Sequence, residues 1–222
     1  MRSCCMAILV AVLGVPVNAE PAKLVYENDF AKGIEGFTLT DPKAWEHLPA
    51  GGKGVMALTG ESAYEPKVRS PKNIAWIDGL SAGDFIIEAD IRQTGREYGH
   101  RDFCLFFGKE DAEHFYYVHL ATKADDHANS IFLVNGAPRV SIAKERTDGT
   151  VWDDKFHKIR IVRNGESGEI AVYFDDMKKP AMTAVDKTFT EGAIGFGSFD
   201  DTGEVDRIKV WAGKAAEGSE SK

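Results

Sequence analysis

Four of the chain's six histidines, His100, His114, His119 and His127, lie in one stretch, HRDFCLFFGKEDAEHFYYVHLATKADDHANSIFLVN. It also carries Arg101, Asp102, Tyr116, Tyr117, Asp125, Asp126 and Asn129. Within HFYYVHL, a strand's period of two sets Phe115, Tyr117 and His119 on one face and Tyr116, Val118 and Leu120 on the other. Val118 and Leu120 mark the second face as core, which leaves Tyr117 and His119 for an open face. A phenol beside an imidazole can stack on a pyranose ring and exchange hydrogen bonds with its hydroxyls. The same pair can move protons, because histidine titrates near neutral pH. Set against both uses is a plainer reading, a tyrosine packed on its sheet and a histidine that is simply hydrogen-bonded.

Three further groups could share that chemistry. Glu88, Asp90 and Arg92 alternate along one strand, about 7 Å from one to the next, and are expected beside Tyr117 and His119. Two such carboxylates can lean to the roughly 5–5.5 Å separation of a retaining glycosidase. They can equally be an ordinary solvated strand face. The loop Asp125-Asp126-His127-Ala128-Asn129 offers contacts to sugar hydroxyls or a metal, or is a polar turn. His100-Arg101-Asp102 closes a glycine-containing loop at the expected rim, with a local salt bridge as the alternative. The expected catalytic set is therefore His119 or Tyr117 as acid/base with Glu88 or Asp90 as carboxylate. The expected ligand contacts are Arg92, His100, Arg101, Asp126, His127 and Asn129. No serine occupies a nucleophile elbow. Cys104, inside FCLFF, reads as a buried small hydrophobe, and His157 reads as structural.

The elements that must hold these residues are short and extended. Phe85, Ile87, Ala89 and Ile91 alternate with Ile86, Glu88, Asp90 and Arg92, which predicts a strand with one core face. Strands are also expected at Lys23–Glu27, Glu35–Thr40, Val55–Thr59, Asn73–Ile77, Phe103–Phe107, His114–Ala121, Ile131–Asn135, Pro138–Ala143, Phe156–Arg163, Glu169–Asp175, Gly192–Phe199 and Val205–Trp211. Tyr64 to Pro71 is extended, held open by two prolines. Lys144–Lys155 is expected as a polar loop, and Met177–Thr183 as a crossing over the sheet end. Trp45 and His47 lie in a helical turn or an irregular crossing. Many short strands with frequent turn signals predict an all-β sandwich or barrel.

The chain has 222 residues, enough for one sizeable core. Residues 1–19 have the basic start, short apolar run and small final residue of a secretory signal peptide. One domain is expected over 20–212, with a disordered tail over 213–222. Of three cysteines, Cys4 and Cys5 leave with the leader, so no internal disulfide is expected. The formal net charge of -8 argues against nucleic acid and anionic membranes. It suits an oligo- or polysaccharide partner, or a cation. The expectation is a secreted or periplasmic monomer without membrane insertion.

The runs FHKIRIVRNGESGEIAVYFDDM and AVDKTFTEGAIGFGSFDDTGEVDRIKVWA resemble the concanavalin A-like lectin/glucanase superfamily. That likeness runs from about Lys23 to Ala212 and is nearest to secreted bacterial domains of the 3-keto-disaccharide hydrolase type. It implies a concanavalin A-like jelly-roll β-sandwich of two antiparallel sheets. The asparagine-serine-glycine and glycine-tyrosine-glutamate strands of those hydrolases are not evident, nor are the E-x-D-x-x-E and R-x-E-x-R signatures of related glucanases and lyases. The fold carries over from the resemblance; a mechanism does not. The resemblance also implies a structural calcium ion, for which Asp29 and Asp206 are the candidate ligands, with a turn aspartate and a solvated strand-end charge as the alternative. The functional expectation is a secreted carbohydrate-binding domain. The alternatives are a glycan-cleaving enzyme on the same face, either a hydrolase or a lyase in which Arg92 or Arg101 holds a uronate, and an envelope scaffold without a small ligand.

Overall fold

The computed structural model describes residues 23–51 and 53–213. The expected leader and all of the expected tail beyond Gly213 lie outside the described residues. Two antiparallel sheets stack face to face, and no α-helix occurs among the described residues. The nine-stranded sheet runs β11 (Ala143–Arg146), β14 (Met182–Val185), β13 (Glu169–Phe174), β12 (His157–Arg163), β6 (Phe85–Gln93), β16 (Gly203–Ala212), β4 (Lys53–Leu58) and β3 (Trp45–Ala50). β1 (Lys23–Asn28) pairs with the far half of β16. The seven-stranded sheet runs β10 (Val140–Ser141), β9 (Ser130–Asn135), β8 (His114–Ala121), β7 (Asp102–Asp111), β15 (Gly192–Ser198), β5 (Asn73–Ala82) and β2 (Phe37–Leu39). This is the jelly-roll sandwich the sequence implies.

Alternation explains the central strands. In β6, Phe85, Ile87, Ala89 and Ile91 are buried and the residues between them half-exposed. The buried set meets Leu105, Phe107, Tyr116, Val118 and Leu120 of the facing sheet in one continuous core. The glycine-rich β15 is explained by close approach to its neighbour: a Cβ on Gly197 would come within 1.8 Å of the Asn73 carbonyl oxygen.

Several local expectations are corrected. Trp45 and His47 belong to β3, which follows a single 3-10 turn at Pro42–Ala44. The polar loop expected at Lys144–Lys155 begins as β11, and the expected crossing at Met177–Thr183 ends in β14. Asp78-Gly79 does not end β5. Gly79 takes a left-handed φ of 71°, and the pairing with β15 shifts register there.

The second layer of packing lies outside the sandwich. Residues 59–72 cross from β4 in one sheet to β5 in the other and lie as a strap over the outside of the seven-stranded sheet. Ser62 N–H donates to Asn73 Oδ1 (2.6 Å), Ala63 N–H to Asp41 Oδ2 (2.9 Å), and Lys67 pairs with Glu113 (2.6 Å). Beneath the strap, Ile74, Trp76, Cys104, Phe106, Phe115, Tyr117, Phe132 and Val134 form a separate apolar cluster, with Val68 and Phe199 packed on it.

Candidate functional site

The pleat of β8 faces Phe115, Tyr117 and His119 away from the sandwich core, as their spacing predicts. They do not face solvent. Tyr117 is 0% and His119 4% exposed, because the strap, Phe199 and Arg139 close over them. Tyr117 stacks on Phe132 (5.1 Å) and Phe106 (5.8 Å), and its hydroxyl is buried without a hydrogen-bond partner. Burial pushes the phenol well above its ordinary value. His119 is pushed down to about 3, by burial first and then by the charges of Arg139 and His100. It is a neutral imidazole at neutral pH. Its Nδ1 accepts the Asn129 N–H (3.3 Å), so Nε2 holds the proton, 3.6 Å from Asp102 Oδ2. Exposing Phe106, Phe115 and Tyr117 together would return several hundred square ångströms of ring to water, at about 25 cal/mol per Å². The strap is therefore a cover at this end of the sheet, and the plain packing role fits Tyr117 and His119 as they stand.

Asp102 belongs to the same buried knot. Its Oδ1 accepts from Ser198 Oγ (2.9 Å) and its Oδ2 from Cys104 Sγ (3.1 Å). Burial, then the charge of Asp201, raises its carboxyl well above the usual range. Asp201 is raised too, chiefly by burial, while accepting from Tyr98 Oη (2.7 Å) and the Asp102 N–H (3.0 Å). Tyr98 is raised well above its ordinary value, through burial and its hydrogen bond to Asp201. Two carboxyls this close and this dry oppose each other's ionisation. With His119 neutral, its contact with Asp102 is not an ion pair.

Two groups here have the spacing of metal ligands, Asp102–Cys104–His119 and Asp102–Asp200–Asp201, each with donor atoms within 4.8 Å of one another. The first does not fit zinc. The His119 nitrogen that faces the group carries a proton, because the Asn129 N–H occupies Nδ1. The second offers three carboxylates, whose oxygens reach the lower end of what calcium takes, although Tyr98, Ser198 and Cys104 already donate to two of them. The pair expected to hold calcium is elsewhere. Asp29 is exposed and closes a turn by accepting the Ala31 N–H (3.2 Å), and Asp206 sits at a register shift in β16. Among the described residues neither belongs to a group of three such ligands.

The loops around the knot divide in two. Arg101 is a correction: it is 4% exposed, and its guanidinium donates to Gln93 Oε1 and O (both 2.9 Å), so it braces the β6–β7 connection. Asn129 is a second correction. It is fully buried with a φ of 50°, and its Nδ2 donates to Thr147 O (2.8 Å). His100, Asp126 and His127 do reach the surface together, with His100 Nε2 2.5 Å from Asp125 Oδ2.

The largest correction concerns Glu88, Asp90 and Arg92. They lie on β6 in the nine-stranded sheet, on its outer face, so the whole sandwich separates them from Tyr117 and His119. Arg160 and Lys158 hold Glu88, and Arg207 (2.6 Å) and Lys158 (3.9 Å) hold Asp90. Arg92 pairs with Glu204 (2.5 Å) and lies over the Phe156 ring (4.8 Å). This is the cross-strand ion-pair ladder of a solvated face. His157 is structural as expected, wedged between Asp175 (2.7 Å) and Asp153 (3.2 Å).

What remains open on the strap side is a cleft of about 180 Å³ between the strap and the far end of the seven-stranded sheet. Tyr64, Ser70 and Pro71 of the strap form one wall, and Thr38, Thr40, Ile74, Trp76, Lys109 and Phe115 are among the residues of the other. The Trp76 ring packs edge-on against Phe106 (5.5 Å) and Phe115 (5.8 Å), and the half-buried Lys109 ammonium lies 4.6 Å over it. Trp76 and Lys109 were missed as site residues. The available signal was a tryptophan at an alternating position of NIAWI; β15 and β7 lie between its strand and that of Phe115.

No family model and no curated protein matches the chain. Solved structures do. The carbohydrate-binding module CBM66 from Bacillus subtilis is 19% identical with a TM-score of 0.53, over 77% of this chain and 91% of that one. A galectin-like protein of unknown function from Bacillus subtilis is 12% identical with a TM-score of 0.57, over 87% and 97%. The GH43 protein BlXynB from Bacillus licheniformis is 10% identical with a TM-score of 0.56. That match takes in 84% of this chain but only 39% of the larger protein. Likeness at these identities is one of fold, and the fold is the concanavalin A-like jelly-roll sandwich.

Proposed function

We propose that this chain is a secreted carbohydrate-binding domain that holds a sugar unit in the Trp76 cleft. One observation carries the reading: a half-open cleft with room for about one pyranose ring on the outside of the seven-stranded sheet, lined by the half-buried Tyr64 and by Trp76, which is 6% exposed under the Lys109 ammonium. Aromatic walls suit the apolar face of a sugar ring, and a few convergent polar groups orient it. Support comes from the solved structures of the same fold, which include a carbohydrate-binding module and a GH43 protein. The test is calorimetric titration of the mature protein with neutral and acidic oligosaccharides. Trp76→Ala and Tyr64→Ala should each weaken binding at least tenfold; Tyr64→Ala should do so with the thermal unfolding transition kept, whereas Trp76→Ala also gives up packing on Phe106 and Phe115 and lowers it. Binding that both variants retain, or no binding to any glycan, contradicts the reading.

A second reading, glycan cleavage by a hydrolase or lyase, is favoured by one observation. A carboxyl that burial raises above its usual range (Asp102), a neutral imidazole (His119) and an unpartnered phenol (Tyr117) stand side by side under the strap. That chemistry needs the strap displaced. Release of reducing ends or unsaturated products, lost in His119→Gln, would establish it. For the metal, calcium at Asp29 and Asp206 or at the Asp200–Asp201 turn is the proposal. A rise in unfolding temperature on adding calcium, reversed by a chelator, tests it.

A further inference from the structure

The Trp76 cleft contains a cation with no ion-pair partner among the described residues. Lys109 is half-buried, and among the described residues it forms no ion pair; its ammonium rests on the Trp76 ring instead. Desolvation lowers its pKa, and the nearby Asp111 carboxylate only partly offsets this, because it does not meet the ammonium in an ion pair. The other cations expected to hold an acidic sugar are committed elsewhere, Arg92 to Glu204 and Arg101 to Gln93. Lys109 also covers the indole face that a stacked sugar ring needs. A neutral sugar would have to displace the ammonium from the ring and give it nothing in exchange. A sugar carrying a carboxylate would draw the ammonium to itself and uncover the indole in the same movement.

We propose that the cleft selects a uronic acid unit: the Lys109 ammonium leaves the Trp76 ring to pair with the sugar carboxylate, and the freed indole carries the pyranose ring. This rests on the reading of the cleft as a sugar site. No bond is made or broken; one cation–π contact is exchanged for one ion pair and one stacking contact.

The experiment is calorimetric titration of the mature protein with oligogalacturonate and oligomannuronate, each beside its carboxyl-reduced, neutral counterpart. At least one acidic probe should bind ten times or more tighter than its reduced form, and the preference should shrink as salt rises. Lys109→Met should erase the preference without weakening the neutral probe, Lys109→Arg should keep it, and Trp76→Ala should lose both probes. Equal binding of acid and reduced forms, lost in Trp76→Ala, overturns this inference while leaving the sugar site standing. An acid preference that survives Lys109→Met or Trp76→Ala places the anion elsewhere and overturns it as well. No binding of any probe, acidic or neutral, brings down both readings.

Discussion

His119 is an imidazole that the fold keeps from protonating, and that has a consequence for acid stability. Its pKa is lowered in the folded chain to about 3, from an ordinary value of 6.5. The unfolded chain therefore binds a proton through this window that the folded chain refuses. Stability from this group is complete above pH 6.5 and is lost as pH falls toward 3. Asp102 and Asp201 work the other way. Their raised folded values make them more stabilising in acid, and that contribution fades as pH rises through those values. His119→Gln should flatten the decline in stability between pH 6.5 and 4, followed by urea unfolding at a series of pH values. A wild-type curve without such a decline, or a variant curve parallel to it, contradicts the burial argument. The outward spacing of Tyr117 and His119 was legible in the sequence, since alternation alone gives it. Their cover was not, because a strap without periodicity leaves no mark on where it will lie.

The strap is the element that decides which part of the seven-stranded sheet a ligand can reach. Asn73, at the start of β5, ties it at both sides: Oδ1 accepts the Ser62 N–H (2.6 Å) and Nδ2 donates to Phe199 O (2.8 Å). Asn73→Ala leaves a buried amide and a carbonyl unpaired, and should cost about 2–3 kcal/mol in urea unfolding. A loss below about 0.5 kcal/mol would show that neither bond holds the cover. Elements of strong alternation, such as β6 and most of β12, were legible with their faces. β3, β11 and β14 were not: β3 holds Pro49, and β11 is nearly all exposed, so neither shows a two-residue apolar pattern. Pairing partners from distant chain segments close these gaps, and a local pattern does not record them.

The whole sandwich has two outer faces of different character. The nine-stranded face carries an ion-pair ladder open to water, and the seven-stranded face carries aromatic rings under a strap. A strand face of Glu88, Asp90 and Arg92 is visible in the sequence, but the sheet it joins depends on crossovers the sequence does not display. The two expected halves of one site thus end on opposite sides. Glu88→Gln and Asp90→Asn should leave glycan binding unchanged and shift stability by no more than about 1 kcal/mol each, since exposed pairs contribute little. A large loss of binding or turnover in either would return the site to that face. No helix among the described residues is long and apolar enough to cross a membrane, and the fold itself was legible as a jelly roll from strand spacing and the resemblance of its second half.

The most direct measurement is a map of backbone and indole NMR shifts of the mature protein while an oligosaccharide that binds it is titrated in. The moving signals should be those of Thr38, Thr40, Tyr64, Trp76, Lys109 and Phe115, with the Trp76 indole among the largest. Movements centred instead on Glu88, Arg160 and Arg207, or on His100 and His127, would contradict the Trp76 cleft as the sugar site.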